Sequence, residues 1–326
     1  MSLYSNDRID KNTGLPLRLN ALRIVLYNVA NYVTFGSSMR TIVIAGDVFH
    51  TKSIIHSLAQ SVLLDFIRDF TEIEFIIIDG NHDLSSKSGS GVSSLKCLDS
   101  EPNVQMLHET EQIENILFVP WGINMVDDIK KGTAEYLVAH VGLNEAQLSS
   151  GISLVSDIGL KDLRQYKHCF LGHYHKPQEL ANITYIGSLI QLDWGEKHEE
   201  KRFLEVDTEK DSIVSIPTAG YKKHYEFEIT KDNKDEIVQK AIVLKEEGHF
   251  VNIVKHEEFD TDDISDDFRI IDKTEVDITD RGLSTRMSKE EILRRYVEIK
   301  KVPEDKREMY IQVAIDIIES QKETVL

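Results

Sequence analysis

The sequence predicts a layered α/β fold with a smaller α+β domain and a C-terminal helix pair after it. Three observations lead there. Short β-branched runs end in Gly-Asp or Gly-Asn, at TIVIAGD and EFIIIDGNHD, and stretches with helical apolar spacing alternate with them. After about residue 208 the pattern relaxes and a new strand and helix series begins. The chain of 326 residues, 41% hydrophobic, is long enough to bury a large core and a second, smaller one.

Residues 15 to 34 place apolar side chains at helical spacing, with Pro16 suited to a first turn. The run at 41 to 47 reads as a buried strand that delivers its last residues to a loop. A helix is expected from Ile54 to Phe70, then a strand at 74 to 83. Further strands are expected at 116 to 120, 136 to 140, 168 to 173, 183 to 188 and 203 to 206. Several end in His, Asn or Asp, which is how a sheet edge assembles a site from residues distant in sequence.

In the second segment the pattern predicts a strand at YEFEI, a helix near 234 to 246, and strands at HFVNIV and near 269 to 278. Ser288 to Glu291 is a capping-box signature for a helix running to about Lys300. Pro303 opens a second helix that carries Ile311, Ile315 and Ile318 on one face, suited to packing on this chain or on a partner's coiled coil. The expected domains are therefore residues 1–210, 211–285 and 286–326.

With 38 basic and 56 acidic residues, the net charge of −18 excludes a protein that grips nucleic acid through an overall basic surface. Any such grip must be local, with metal ions or a partner supplying positive charge. No apolar run reaches the roughly 18 residues of a membrane span, and no secretory signal opens the chain, so no membrane contact and a cytoplasmic location are expected. Cys97 and Cys169 are too few for a disulfide framework and read as packing residues in a reducing compartment.

The chemistry-bearing residues are Asp47, Asn81, His82, Asp83, His140, His173 and His175, each at an expected strand end. Divalent cations such as Mn²⁺ accept mixed carboxylate, amide and imidazole ligands, and two of them about 3.5–4 Å apart can clamp the oxygens of a phosphodiester. Asp47 suits a bridging carboxylate. His173 and His175, two apart on an extended segment, point the same way. Glycines before Asp47, Asn81 and His173 permit tight turns around a cation.

The segments GDVFHTKS, DGNHD, AHVG and GHYHKPQ resemble the successive motifs of the calcineurin-like metallophosphoesterases. The stretch IGSLIQLDWGEKHEEKRFLEVD narrows the resemblance to SbcD-type DNA double-strand-break repair nucleases, over roughly residues 5 to 208. This implies a four-layer β-sandwich flanked by helices, with a capping domain and C-terminal helices. By the same resemblance Asp47 bridges two metals, Asn81, His140 and His173 complete one site, and His175 belongs to the other. His82 is then the acid facing the leaving oxygen, and Asp83 orients or tunes it. The resemblance further implies a Mn²⁺-dependent 3′-to-5′ exonuclease and endonuclease, with Mg²⁺ as the alternative ion, working on DNA as a homodimer with an SbcC-type ABC ATPase.

Members of that family open with a strand ending in Asp-x-His, for which residues 1 to 14 have no counterpart. The expectation is an N-terminally truncated chain with at most one well-occupied metal and weak nuclease activity. His50, where the family commonly has Asp, is read as a surface residue or as a neighbour supporting the ligands. Lys197, Lys201, Arg202, Lys222 and Lys223 are candidates for phosphate contact. The rival readings are another phosphatase of the same fold and a non-catalytic scaffold subunit.

Overall fold

The computed structural model describes residues 9–51, 54–86, 89–257, 259–261, 264, 268–274 and 287–320. The chain divides into two compact units, Met1–Tyr225 with Val243–Val251, and Glu226–Ile242 with Asn252–Leu326.

In the first unit, helices α1 (Leu17–Asn31) and α2 (Ser57–Asp69) flank a parallel sheet of β1 (Thr41–Ile44), β2 (Glu74–Ile78) and β3 (Val104–Leu107). The helix spacing seen in the sequence is realised, and α1 runs on into a wider π turn over Tyr32–Gly36. A second sheet has the order β4-β5-β6-β7-β9-β8. Its parallel centre is β5 (Ile116–Val119), β6 (Tyr136–His140), β7 (His168–Gly172) and β9 (Ile183–Tyr185). The edges, β4 (Glu111–Ile113) and β8 (Gln178–Leu180), are antiparallel to their neighbours. A hairpin of β10 (Arg202–Asp207) and β11 (Ser212–Pro217) follows.

Three apolar cores give this unit its layers. Ile76, Ile78 and Leu107 of the first sheet meet Phe118, Val138 and Phe170 of the second, joined by Leu204 and Val206 of β10. Phe75 and Ile77, on the opposite pleat of β2, pack under α1 and α2. Leu117, Val119, Leu137 and Leu171 pack beneath α3 (Met125–Lys131) and a 3₁₀ turn at Leu160–Leu163. Because side chains alternate across a strand, the continuous apolar runs of β2, β6 and β7 feed two cores at once. The order is helix, sheet, sheet, helix, as expected for a metallophosphoesterase sandwich.

Among the described residues no strand pairs the outer edge of β1, where Val43 stays 39% exposed. A cavity of about 720 Å³ runs along that edge, walled by Leu22 and Leu26 of α1, by Val138 and Phe170, and by Leu204 and Val206 of β10. The same cavity reaches Asp47, His82, His173 and His175.

The later elements are β12 (His224–Ile229), α4 (Lys234–Glu246), β13 (Phe250–Lys255) and β14 (Arg269–Asp272), with the sheet order β12-β13-β14. Of the strand expected near 269 to 278, residues 275–278 lie outside those described. Helix α5 (Lys289–Ile299) starts at the expected capping box: Ser288 Oγ accepts from the Glu291 N–H at 3.2 Å and the Glu291 carboxylate accepts from the Ser288 N–H at 2.6 Å. Helix α6 (Glu304–Ser320) begins directly after Pro303 and buries Ile311, and Arg294 of α5 pairs with Glu308 of α6. The side chain of Ile318 lies outside the described residues.

Candidate metal centre

The site sits where parallel strands of both sheets end. β1 delivers Asp47, β2 delivers Asn81 and His82, β6 ends at His140, and β7 delivers His173 and His175. In a parallel sheet, strands that point the same way present their C-terminal loops at one edge, so residues far apart in sequence converge.

The convergence is close. Ligand atoms of Asp47, His140 and His173 all lie within 4.8 Å of one another. Asn81 Oδ1 lies 3.0 Å from both His140 Nε2 and His173 Nδ1, and His140 Nε2 is 3.3 Å from Asp47 Oδ2. Two of these residues hold unusual backbone: Asp47 has φ of 55° and His173 of 92°. Positive φ at non-glycine residues costs on the order of 1–3 kcal/mol and persists where surroundings impose it, chiefly at functional sites. The glycines allow the tight fit, since a Cβ on Gly172 would collide with the Ala45 carbonyl oxygen and one on Gly80 with Asp47.

The donor set fits a divalent cation. His140 is buried, and its Nδ1–H donates to the Ala45 carbonyl at 2.8 Å, which turns Nε2 toward the oxygens of Asp47 and Asn81. Facing two acceptors, Nε2 must carry either a proton or a cation. Burial disfavours the charged ring, yet the Asp47 carboxylate keeps the His140 pKa above its ordinary value. Burial also opposes charge on Asp47, but His140 and the His82 N–H hold its pKa well below the usual carboxylate range. His173 moves the other way, to about 4, through burial and the neighbouring His140. One ionised carboxylate, an amide oxygen and a neutral imidazole, with a second imidazole able to lose its proton, make a set suited to Mn²⁺ and similar ions.

His82 lies beside the cluster. Its backbone N–H donates to Asp47 Oδ1 at 2.8 Å, its Nδ1–H donates to the His50 carbonyl at 2.6 Å, and its ring stacks on His50 with centroids 5.3 Å apart. The exposed His50 thus supports His82. Asp83 departs from the orienting role expected for it. Its buried oxygens accept from the N–H groups of Val48, Phe49 and Gly80, tying the Asp47 loop to the Gly80 turn, so it acts on backbone and not on the His82 ring. Burial pushes its pKa up to about 6.

His175 lines the same cavity and donates from Nδ1 to Glu196 Oε1 at 3.1 Å. Lys201 needs correction as a candidate for phosphate contact. Its side chain is fully buried, and its ammonium pairs with Glu196 at 2.8 Å and Glu199 at 2.6 Å, so it cannot reach DNA. Arg202 is largely buried and paired with Glu179 at 2.9 Å. Lys197 and Lys223 are half-buried, and Lys222 is exposed.

Sequence reasoning missed two residues. Trp121, after β5, stacks on His173 with centroids 5.8 Å apart, and its backbone N–H donates to the Asp79 carbonyl at 2.8 Å. Its position after a third strand end was the available signal. The other is Glu196, in the Gly-Glu pair that marked the resemblance.

Residues 28–177 match the calcineurin-like phosphoesterase family. Similar proteins include exonuclease subunit 1 of Enterobacteria phage T4, 28% identical over 207 residues, covering 58% of this chain and 60% of that protein. Another is the SbcD subunit of the nuclease SbcCD of Staphylococcus epidermidis, 22% identical over 252 residues, covering 64% of this chain and 66% of that protein. The chain spans less than two thirds of the length of each of these relatives. No helix among the described residues is long and apolar enough to cross a membrane. With its ligand types, strand-end placement and family match in agreement, the chain carries a calcineurin-like phosphoesterase domain over residues 28–177.

Proposed function

We propose that this chain hydrolyses DNA phosphodiester bonds, as exonuclease and endonuclease, in the role of nuclease subunit of an SbcCD-like recombination and repair complex. The single observation that carries the reading is the meeting of Asp47, Asn81, His140 and His173 around one point at the strand ends. The names of the two relatives, an exonuclease subunit and a nuclease subunit, support a nucleic acid as substrate.

In this reading Asp47, Asn81, His140 and His173 would hold Mn²⁺, and His175 would serve a second position. The cation, when bound, neutralises phosphate charge and makes water more acidic. The chain's own residues do the rest. Asp47 and Asn81 place an ionised carboxylate and an amide oxygen side by side with His140 at the strand ends. His82, its Nδ1–H bonded to the His50 carbonyl, acts as the acid in its doubly protonated form: as water adds to phosphorus and the bond from phosphorus to the 3′-oxygen breaks, Nε2–H gives its proton to that oxygen and the ring is left neutral. Trp121 keeps the His173 ring in plane.

Among the described residues, Asp47, His140 and His173 form the close group of metal-competent carboxylates and imidazoles, which favours one tightly held cation and slow cleavage. Lys222 and Lys223 are proposed to meet backbone phosphates. A homodimer, with α5 and α6 engaging an ABC ATPase, completes the proposal.

The test is Mn²⁺-dependent cleavage of linear duplex DNA. His82→Ala is expected to keep Mn²⁺ affinity and to lower the rate by about 10²-fold or more. Equal rates for the two proteins would remove His82 from the chemistry. Turnover of an aryl phosphate with no DNA cleavage would favour a phosphatase instead.

A further inference from the structure

A buried ionic network stands directly behind His175, and its arrangement is costly unless it serves the site. Lys201 Nζ, fully buried, contacts Glu196 Oε2 at 2.8 Å and Glu199 Oε2 at 2.6 Å. It also donates to the His175 carbonyl at 2.8 Å. Glu196 turns its other oxygen, Oε1, to His175 Nδ1 at 3.1 Å, while its Oε2 also accepts the Leu192 N–H at 2.9 Å. The Glu196 side chain is itself only 4% exposed.

Removing three charged groups from water costs more than their mutual attraction returns in most proteins, and apolar replacements are often as stable or more so. Stability therefore does not explain the network. Its geometry offers another explanation. Two carboxylates face one ammonium, so the cluster carries one excess negative charge, and the open side of Glu196 meets the imidazole. One residue, His175, is held at two points: the ring through Glu196 and the main chain through Lys201.

We propose that Glu196 and Lys201 are positioning residues for His175, fixing its ring orientation and its Nδ1–H tautomer so that Nε2 presents its lone pair to a divalent cation in the cavity shared with Asp47 and His173. The inference deepens the proposed nuclease reading and rests on it for the cation. The tautomer itself depends on this chain alone. Lys201 acts one step further out: its contact with Glu196 Oε2 leaves Oε1 aimed at the His175 ring.

The test begins with metal-free protein carrying ¹⁵N-labelled histidine, in which nitrogen shifts read the tautomer of each ring. Wild type is expected to show His175 as the Nδ1–H form, and Glu196→Ala a mixture with the Nε2–H form. Glu196→Gln, which keeps an oxygen acceptor and the side-chain volume, is expected to restore most of the wild-type signal. Mn²⁺ titration by calorimetry should then show the second, weaker binding event lose about 10-fold to 100-fold in affinity in Glu196→Ala and less in Glu196→Gln, with the cation held by Asp47, Asn81, His140 and His173 unchanged. If Glu196→Ala fails to fold because the buried Lys201 has lost one of its two carboxylates, Glu196→Ala combined with Lys201→Met and Glu199→Gln removes the acceptor from His175 with no charge left in the network and gives the same comparison. An Nε2–H tautomer in wild type, or unchanged His175 signals in the folded variants, overturns the proposal. Absent DNA cleavage with the tautomer shift intact would reject the nuclease reading and leave the positioning role standing.

Discussion

At the scale of single residues, the ligands were legible because each stands at the end of a short apolar run, three of them just after a glycine. Asp47, Asn81 and His173 carry the glycine, and His140 closes the run YLVAH. Lys201 was not legible as a buried group, because charge in a sequence says nothing of where the side chain ends. His108 illustrates a contact that no local pattern announces. It follows β3, and its ring meets buried Asp79 at 2.6 Å and Asp99 at 3.1 Å. Burial works against its charge, but the two carboxylates win and raise its pKa above the ordinary 6.5. A histidine raised on folding binds its proton more tightly in the native state, so its stabilisation is complete below about pH 6.5 and fades as pH climbs through the folded value. Urea unfolding of wild type and His108→Gln is expected to differ most near about pH 5.5 and to converge toward about pH 8.5; a gap that widens with pH would contradict the assignment.

Among the elements, those with long periodic patterns or continuous apolar runs were readable, and the short polar ones were not. The helix expected at 234 to 246 matches α4 to the residue, and β6 matches its run. β4 and β8, EQI and QEL, have three residues each and owe their pairing to neighbours in the sheet, so period alone could not find them. β3 (VQML) has one polar interruption, and α3 spans less than two full turns of amphipathic pattern. At the other extreme, the α5 start was specified by chemistry. Both reciprocal bonds of the Ser288 and Glu291 box are formed on an exposed surface. Ser288→Ala is expected to destabilise the α5–α6 pair by about 1 kcal/mol, measured as a lower urea midpoint of its helical circular dichroism signal, with no change in Mn²⁺ affinity.

For the whole molecule, the metal centre links two sheets that share no strand, since Asp47 and Asn81 come from one and His140 and His173 from the other. A cation bound there bridges both halves of the sandwich in the native state only. Mn²⁺ at about 100 times its dissociation constant should then stabilise the fold by about 2.7 kcal/mol. A rise in melting temperature that Asp47→Asn abolishes would report this, whereas an equal rise in the variant would place the ion elsewhere. The acidic balance of the chain, −18 overall, gives such an ion a long-range welcome that no single ligand provides. The rim of β1, unpaired among the described residues, has a different consequence. Its amides and carbonyls run along an oily trench, with Val43 open to solvent. A further extended segment laid along that trench would find backbone partners on β1 and apolar walls from α1 and β10.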